Sequence, residues 1–177
     1  MWLPTFMIMA RGFSSDELVW AAAIPYVGYI GGLLAGSFLS DRTGRRSLVT
    51  ISFLMAGAVM MLSLVFLTGK VETILALSAM FFFVAILGPN VATLLQGCCV
   101  SWLTCSAAGI ENGVSNGLGA LGPVSVGTIV AVTGSYDAAL LLLAALIVLS
   151  GAALLGFKGR EEASCPLPPL VEKDYHN

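Results

Sequence analysis

Five long apolar stretches, separated by short polar segments, divide the first 157 residues of the chain. Because a helix needs about 20 apolar residues to cross the hydrocarbon core of a bilayer, each stretch is long enough to span a membrane. The ten residues before Arg11 are apolar but too few for a span, and they have the pattern of the end of a further helix. The pattern predicts an all-α transmembrane bundle over 1–157, with about five transmembrane helices plus a partial first one. The predicted spans are about 18–39, 49–67, 73–95, 107–132 and 138–157.

Composition supports this class and excludes others. Hydrophobic residues make up 58% of the 177 positions and charged residues 10%, against about 25% charged in a soluble domain. Mean hydropathy is +0.94. The net charge of −2 and the lack of a basic run argue against a nucleic-acid partner. Residues 158–177 are polar and contain proline, so we expect a disordered tail there.

The basic residues predict the orientation of the bundle. With five spans, the charged turn after the first span and the C-terminal tail lie on the same side of the bilayer. Cytoplasmic loops carry an excess of Lys and Arg. We therefore expect an integral protein of the plasma (inner) membrane with a cytoplasmic C-terminus. The expected cytoplasmic side carries Arg42, Arg45, Arg46, Lys158, Arg160 and Lys173, and the opposite side carries Arg11 and Lys70.

Glycine recurs every fourth residue in the first span, at Gly28, Gly32 and Gly36. Positions four apart share one helix face, and a face of such small residues lets a neighbouring backbone approach closely. We expect helix packing along this face. The packing could be static, or it could be a contact that slides as the protein changes conformation.

The turn after the first span contains Asp41, Arg42, Gly44, Arg45 and Arg46. Asp41 lies near the negative end of a helix dipole and therefore needs a cation, which Arg45 or Arg46 can supply. Gly44 suits a tight turn that requires a positive φ. The turn is either a gating loop or a basic anchor at the membrane surface.

Polar side chains mark the fourth span. Asn112 and Asn116 lie one turn apart, and within hydrocarbon such amides need partners. They are candidates to bind a substrate carboxylate or hydroxyl, or to form hydrogen bonds between helices. Glu111 is the one ionisable residue well inside a predicted span. It is a candidate for proton coupling, or a carboxylate that reaches the aqueous boundary.

The segment SFLSDRTGRRSLV resembles the cytoplasmic loop of the major facilitator superfamily, which has the pattern G-x-L-A-D-R-x-G-R-R-x-x-L. Trp2-Leu3-Pro4-Thr5, Arg11-Gly12-Phe13-Ser14 and Gly109-Ile110-x-Asn112 resemble parts of the seventh, eighth and eleventh helices of its anion:cation symporters. The resemblance implies the C-terminal six-helix bundle of such a transporter, with most of its first helix and the N-terminal half absent. It also implies that Asn112 helps to line the substrate site.

The function implied by this resemblance is that of the C-terminal half of a secondary active transporter. It would move a small organic anion, of the sugar acid or aromatic acid type, by alternating access with a proton or sodium as coupling ion. Its partners would be the lipid bilayer and either the missing N-terminal helical half or another copy of itself. The alternative is a truncated, non-transporting membrane fragment that at most binds a partner bundle. We expect no enzyme activity, metal or cofactor, because no catalytic or metal-ligand cluster accompanies the spans.

Overall fold

A computed structural model describes residues 3–100 and 102–163 of the chain. Throughout these ranges the regular structure is α-helical, and short turns join the helices. The helices are α1 (Leu3–Arg11), α2 (Ser15–Thr43), α3 (Arg46–Phe66), α4 (Lys70–Val84), α5 (Leu87–Cys98), α6 (Thr104–Gly119), α7 (Leu121–Thr133) and α8 (Tyr136–Ala163).

The prediction of five spans in an all-α bundle is confirmed within the described ranges. Five helical segments are long and apolar enough to cross a membrane. Helix α8 extends to Ala163, beyond the predicted domain boundary at 157. The rest of the predicted tail, 164–177, lies outside the described residues. The five segments are Ser15–Thr43, Arg46–Phe66, Lys70–Gly97, Thr104–Thr133 and Tyr136–Gly156.

Two of the five spans are broken near a proline. The third span consists of α4 and α5, which are separated at 85–86, and Pro89 follows that break. The fourth consists of α6 and α7, separated at Ala120 and followed by Pro123. Proline lacks the backbone N–H that would continue the helical hydrogen bonds, and its ring clashes with the carbonyl four residues earlier. The backbone keeps helical dihedral angles at both points, so each interruption is a local loss of helical hydrogen bonding within one membrane-spanning segment.

The core lies among α1, α2, α3, α4 and α8. Phe6 and Met7 of α1 are buried, as are Leu64 at the end of α3 and Leu77 in α4. Helix α3 packs against both α4 and α8, while α2 packs against α4. Helix α6, in contrast, has no buried residue, and Val126 is the one buried residue of α7. The fourth span therefore lies at the side of the bundle with most of its surface uncovered.

Candidate functional site

The charged turn joins α2 to α3 and is built as the sequence predicts for a tight turn. Gly44 follows α2 with φ +65°, and its N–H donates to the carbonyl of Ser40. The Thr43 hydroxyl donates to the carbonyl of Leu39 at 2.8 Å. Glycine adopts this left-handed conformation without steric cost, so it ends α2 and lets α3 begin two residues later.

Within this turn Arg46 is the cation that pairs with Asp41. Its Nη2 lies 2.9 Å from Asp41 Oδ1. The Arg46 side chain is 29% exposed and that of Asp41 is 68% exposed. The side chains of Arg42 and Arg45 are also exposed, and Arg45 precedes the first residue of α3 without a capping hydrogen bond. The sequence left open whether Arg45 or Arg46 pairs with Asp41. In the structure the partner is Arg46, the first residue of α3.

A buried polar contact lies beneath the turn and was missed by sequence analysis. Asn90 of α5 is 3% exposed, and its Nδ2 donates to Thr50 Oγ1 of α3 at 2.6 Å. The Thr50 hydroxyl in turn donates to the Arg46 carbonyl at 2.8 Å. An asparagine directly after Pro89, inside an otherwise apolar span, was the available signal, since such amides need a protein partner in hydrocarbon.

The predicted glycine face of α2 lies directly on α4 and on the interruption at 85–86 that follows it. A Cβ atom at Gly28 would lie 2.6 Å from the Ser78 carbonyl oxygen, and one at Gly32 would overlap the Phe82 carbonyl. At Gly36 a Cβ would lie 2.7 Å from the Ile86 side chain. The two helices run parallel here, because the facing residues advance together by four. At Gly28 and Gly32 the two backbones are so close that only glycine fits, and at Gly36 a Cβ would collide with the Ile86 side chain.

The candidate site residues of the fourth span lie on α6 and are exposed or only partly buried. Ser115 donates to Glu111 Oε1 at 3.0 Å, and Asn116 Nδ2 donates to the Asn112 carbonyl at 2.9 Å. Both hydrogen bonds stay within α6. Among the described residues the Asn112 amide has no hydrogen-bond partner. The structure therefore brings the four side chains together on one helix but pairs none of them with a neighbouring helix.

A second group of charges lies at the opposite end of the bundle from the charged turn. Arg11 donates to the carbonyl of Leu64 at the end of α3. Lys70 Nζ lies 2.6 Å from Glu17 Oε2 and 5.4 Å from the centre of the Phe13 ring. Ser14 and Glu17 form a capping box at the start of α2. These contacts fix the α1–α2 turn to the α3–α4 turn, on the side that the sequence predicts to face away from the cytoplasm.

Five long apolar helices, two of them broken, define the chain as an integral membrane protein. No family model and no solved structure matches the chain. Three curated proteins do match it. The "Hexuronate transporter" of Bacillus subtilis (strain 168) is 31% identical over 169 residues, covering 88% of this chain and 39% of that protein.

The other two relatives are also named as anion transporters. The "Probable galactarate/D-glucarate transporter GudP" of Escherichia coli (strain K12) is 29% identical over 88% of this chain and 36% of its own length. The "Probable sulfoacetate transporter SauU" of Cupriavidus necator is 29% identical over 82% of this chain and 36% of its own length. The resemblance to anion transporters of the major facilitator superfamily is thereby confirmed. The chain spans less than two fifths of the length of these curated relatives.

Proposed function

We propose that this chain is the C-terminal part of a secondary active transporter that moves a small organic anion by alternating access. The names of all three relatives specify anionic substrates. Two of them name sugar acids, which favours a sugar acid over an aromatic acid as the substrate. The relatives are transporters by name, which fits the expectation that the chain is not an enzyme.

The observation that carries this proposal is the open polar face of α6. Asn112, Ser115 and Asn116 are exposed along it, and the amide of Asn112 offers two donors and an acceptor. Lipid cannot hydrogen-bond these groups, so leaving them in contact with hydrocarbon is unfavourable. The proposal places this face on a water-filled pathway, where Asn112 and Asn116 bind the carboxylate or hydroxyl groups of the substrate.

A partner bundle follows from the charge of the proposed substrate. A carboxylate in a low-dielectric cavity needs a cation, and the predicted spans of this chain contain no Lys or Arg. The basic group then comes from another part of the transporter, either the N-terminal helical half or a second copy. The same partner would cover the side of α6 that the described residues leave open.

Coupling to a proton or to sodium remains part of the proposal. Glu111 is the candidate coupling group, and it is half-buried at the start of the polar face with Ser115 as its hydrogen-bond donor. Proton coupling predicts that Glu111→Gln abolishes acceleration of uptake by a pH gradient. Exchange without a gradient should persist in this variant, because the amide keeps the size and hydrogen bonding of the carboxyl group.

The proposed orientation places the charged turn and the C-terminus in the cytoplasm of a cell whose plasma (inner) membrane holds the protein. The excess of basic residues on that side supports it. Reporter fusions after Phe66 and after Ala163 test the orientation. A reporter that is active only in the cytoplasm should be active after Ala163 and silent after Phe66, and the reverse pattern would contradict the orientation.

A chimera tests the function. This chain replaces the matching segment of the Bacillus subtilis hexuronate transporter, and uptake of a hexuronate is measured in proteoliposomes with proton and sodium gradients imposed in turn. We expect uptake by the chimera and roughly a tenfold loss in Asn112→Ala, as expected for one lost hydrogen bond of about 1.4 kcal/mol. Ser125→Ala on α7 is the matched control, because that hydroxyl already donates to the Leu121 carbonyl.

Two outcomes would contradict the proposal. Full uptake by Asn112→Ala would show that the α6 face does not line the substrate pathway. A chimera that inserts and folds but never transports would favour the alternative of a non-transporting fragment. Gradient-driven uptake by the 177-residue chain in isolation would show that a second copy of this chain, and not an N-terminal half, supplies the partner bundle.

A further inference from the structure

The contact between Asn90 and Thr50 belongs to a longer series of interactions that ends at the charged turn. Asn90 donates to Thr50, and Thr50 donates to the backbone carbonyl of Arg46. The guanidinium of the same Arg46 pairs with Asp41. A side chain on the distal half of the broken third span is thus linked, residue by residue, to the ion pair that closes the turn between α2 and α3.

The Asn90 side-chain amide has one further donor and an acceptor besides the donor that bonds Thr50. Ser40 lies where it could bond one of them. Gly28, Gly32 and Gly36 of α2 face residues 78, 82 and 86 in parallel register. One further turn on α2 is Ser40. One further turn on the facing helix is Asn90, whose N–H bonds the Ile86 carbonyl with helical spacing. The register therefore places Ser40 opposite Asn90, and α2 does pack against α5.

The hydroxyl of Ser40 is available for such a contact. Ser40 is fully buried, at 0% exposure, and its Oγ has no hydrogen-bond partner. Serine and threonine within helices usually donate to the carbonyl four residues earlier, and Thr50, Ser52 and Ser78 do so here. A buried hydroxyl without a partner is unfavourable, because it has lost its hydrogen bonds to water. The spare donor and acceptor of the Asn90 amide can satisfy it.

We propose that Asn90 is a positioning residue for the charged turn. It holds α5 against α3 through the hydrogen bond to Thr50, and its register opposite the unpaired Ser40 hydroxyl allows a second contact, to α2. The Asp41–Arg46 pair therefore keeps its position while α5 stays packed against α3. At 85–86 the backbone keeps helical dihedral angles, but Pro89 removes one helical hydrogen bond there, so a swing of α5 relative to α4 would occur at this point. Any such swing must first separate the Asn90 contacts, which links the third span to the turn. Only the consequence for transport rests on the proposed function.

The register is tested by disulfide formation in the 177-residue chain. In a background with Cys98, Cys99, Cys105 and Cys165 changed to Ser, Ser40→Cys is combined with Asn90→Cys, and copper phenanthroline is added. After denaturation, free thiols are counted by the mobility shift with maleimide-polyethylene glycol. We expect the pair to lose both thiols. The matched pair Leu39→Cys with Asn90→Cys should keep both, because Leu39 is exposed on another face of α2. Equal labelling of the two pairs would overturn the register.

The positioning role is tested by thiol access beneath the turn. Ser47→Cys, at a fully buried position at the start of α3, reports on the turn, and Ala139→Cys, buried in α8, reports on the rest of the bundle. We expect Asn90→Ala to speed the reaction of Cys at 47 with a methanethiosulfonate at least threefold and to leave Cys at 139 unchanged. Asn116→Ala, on the exposed face of α6, is the control and should change neither rate.

Two results would overturn the positioning role. An unchanged rate at 47 would show that the turn does not depend on Asn90. Equal acceleration at 47 and at 139 would show that Asn90 supports the whole bundle and has no particular link to the turn. Neither measurement requires transport. Failure of the chimera to take up a hexuronate would therefore leave this inference standing, and failure of the thiol tests would leave the proposed function standing.

Discussion

Two helices of this chain carry glycine at every fourth position, and they differ in what lies against them. On α2, Gly28, Gly32 and Gly36 lie against residues 78, 82 and 86 of the third span so closely that a Cβ would collide. On α6, Gly109, Gly113 and Gly117 repeat the same spacing, yet nothing lies within 4 Å of a Cβ built at any of them. The two helices therefore share the same glycine spacing, but the glycines of α2 are in close contact with another helix and those of α6 are not.

The difference between α2 and α6 shows that glycine at every fourth position permits close helix packing but does not specify which helix packs there. Such spacing removes the steric barrier to close packing of two helices, but the packing energy comes from the atoms of the partner. On α2 the partner is the parallel helix α4, supplied by the same chain. On α6 the polar face and the glycine face are both uncovered. This fits the proposal that another bundle completes the site.

The largest effect on stability is expected at Gly32. Gly32→Leu forces a side chain into the Phe82 carbonyl, and overpacking of this kind costs about 3 kcal/mol or more. For a chain of this size that corresponds to a fall of roughly 10 °C in the midpoint of thermal unfolding. The measurement is thermal unfolding of the purified chain in detergent, followed by fluorescence or by loss of the monodisperse peak.

A neighbouring glycine provides a matched control for that substitution. A Cβ at Gly31 would meet the Phe82 ring at an ordinary 3.6 Å, whereas one at Gly32 would overlap backbone. Gly31→Ala should therefore be neutral or slightly stabilising, and Gly32→Ala destabilising. Equal midpoints for the two alanine variants would mean that α2 and α4 are not in close contact in solution.

A smaller effect is expected at the charged turn. Arg46→Ala removes the cation that pairs with Asp41, and an ion pair this exposed contributes at most about 1 kcal/mol. We expect a fall of a few degrees in the unfolding midpoint. In the chimera, Arg46→Ala and Asp41→Asn should reduce uptake more than Arg45→Ala, whose side chain makes no capping contact. Equal loss from both arginine variants would favour the role of a general basic anchor.

Sequence reasoning predicted the spans and the tight turn, because each depends on residues close together in the chain. Apolar length specifies a membrane helix, and Gly44 specifies the left-handed residue that ends α2. It did not predict Asn90 with Thr50, since that pair joins residues 40 positions apart and depends on how α3 and α5 pack against each other. Nor did it choose between Arg45 and Arg46, because that choice depends on how α3 starts.

The contact between Lys70 and Glu17 should contribute still less. Both side chains are nearly half exposed, and the pair lies outside the closely packed glycine contact although it also joins α2 to α4. Lys70→Ala should lower the unfolding midpoint by about 1–3 °C, since exposed pairs typically give 0.2–1 kcal/mol. Because salt at about 1 M screens exposed charges beyond a few ångströms, the difference from the parent should shrink there. A difference that is unchanged at high salt would mean that the lysine contributes by packing on the Phe13 ring and not through the ion pair.

The smallest effect on the chain itself is expected at Gly113. Gly113→Leu places on α6 the same side chain that should disrupt α2, but nothing lies within 4 Å of the new Cβ. The unfolding midpoint of the isolated chain should therefore stay within about 1 °C of the parent, since surface substitutions usually change stability by less than 0.5 kcal/mol. In the chimera the same substitution should abolish hexuronate uptake, because the side chain would meet the bundle that we propose to cover α6. A Gly113→Leu chain that loses stability in isolation would show that α6 is already packed against its own chain in solution. A chimera that transports normally with Leu at 113 would place the partner bundle on another face.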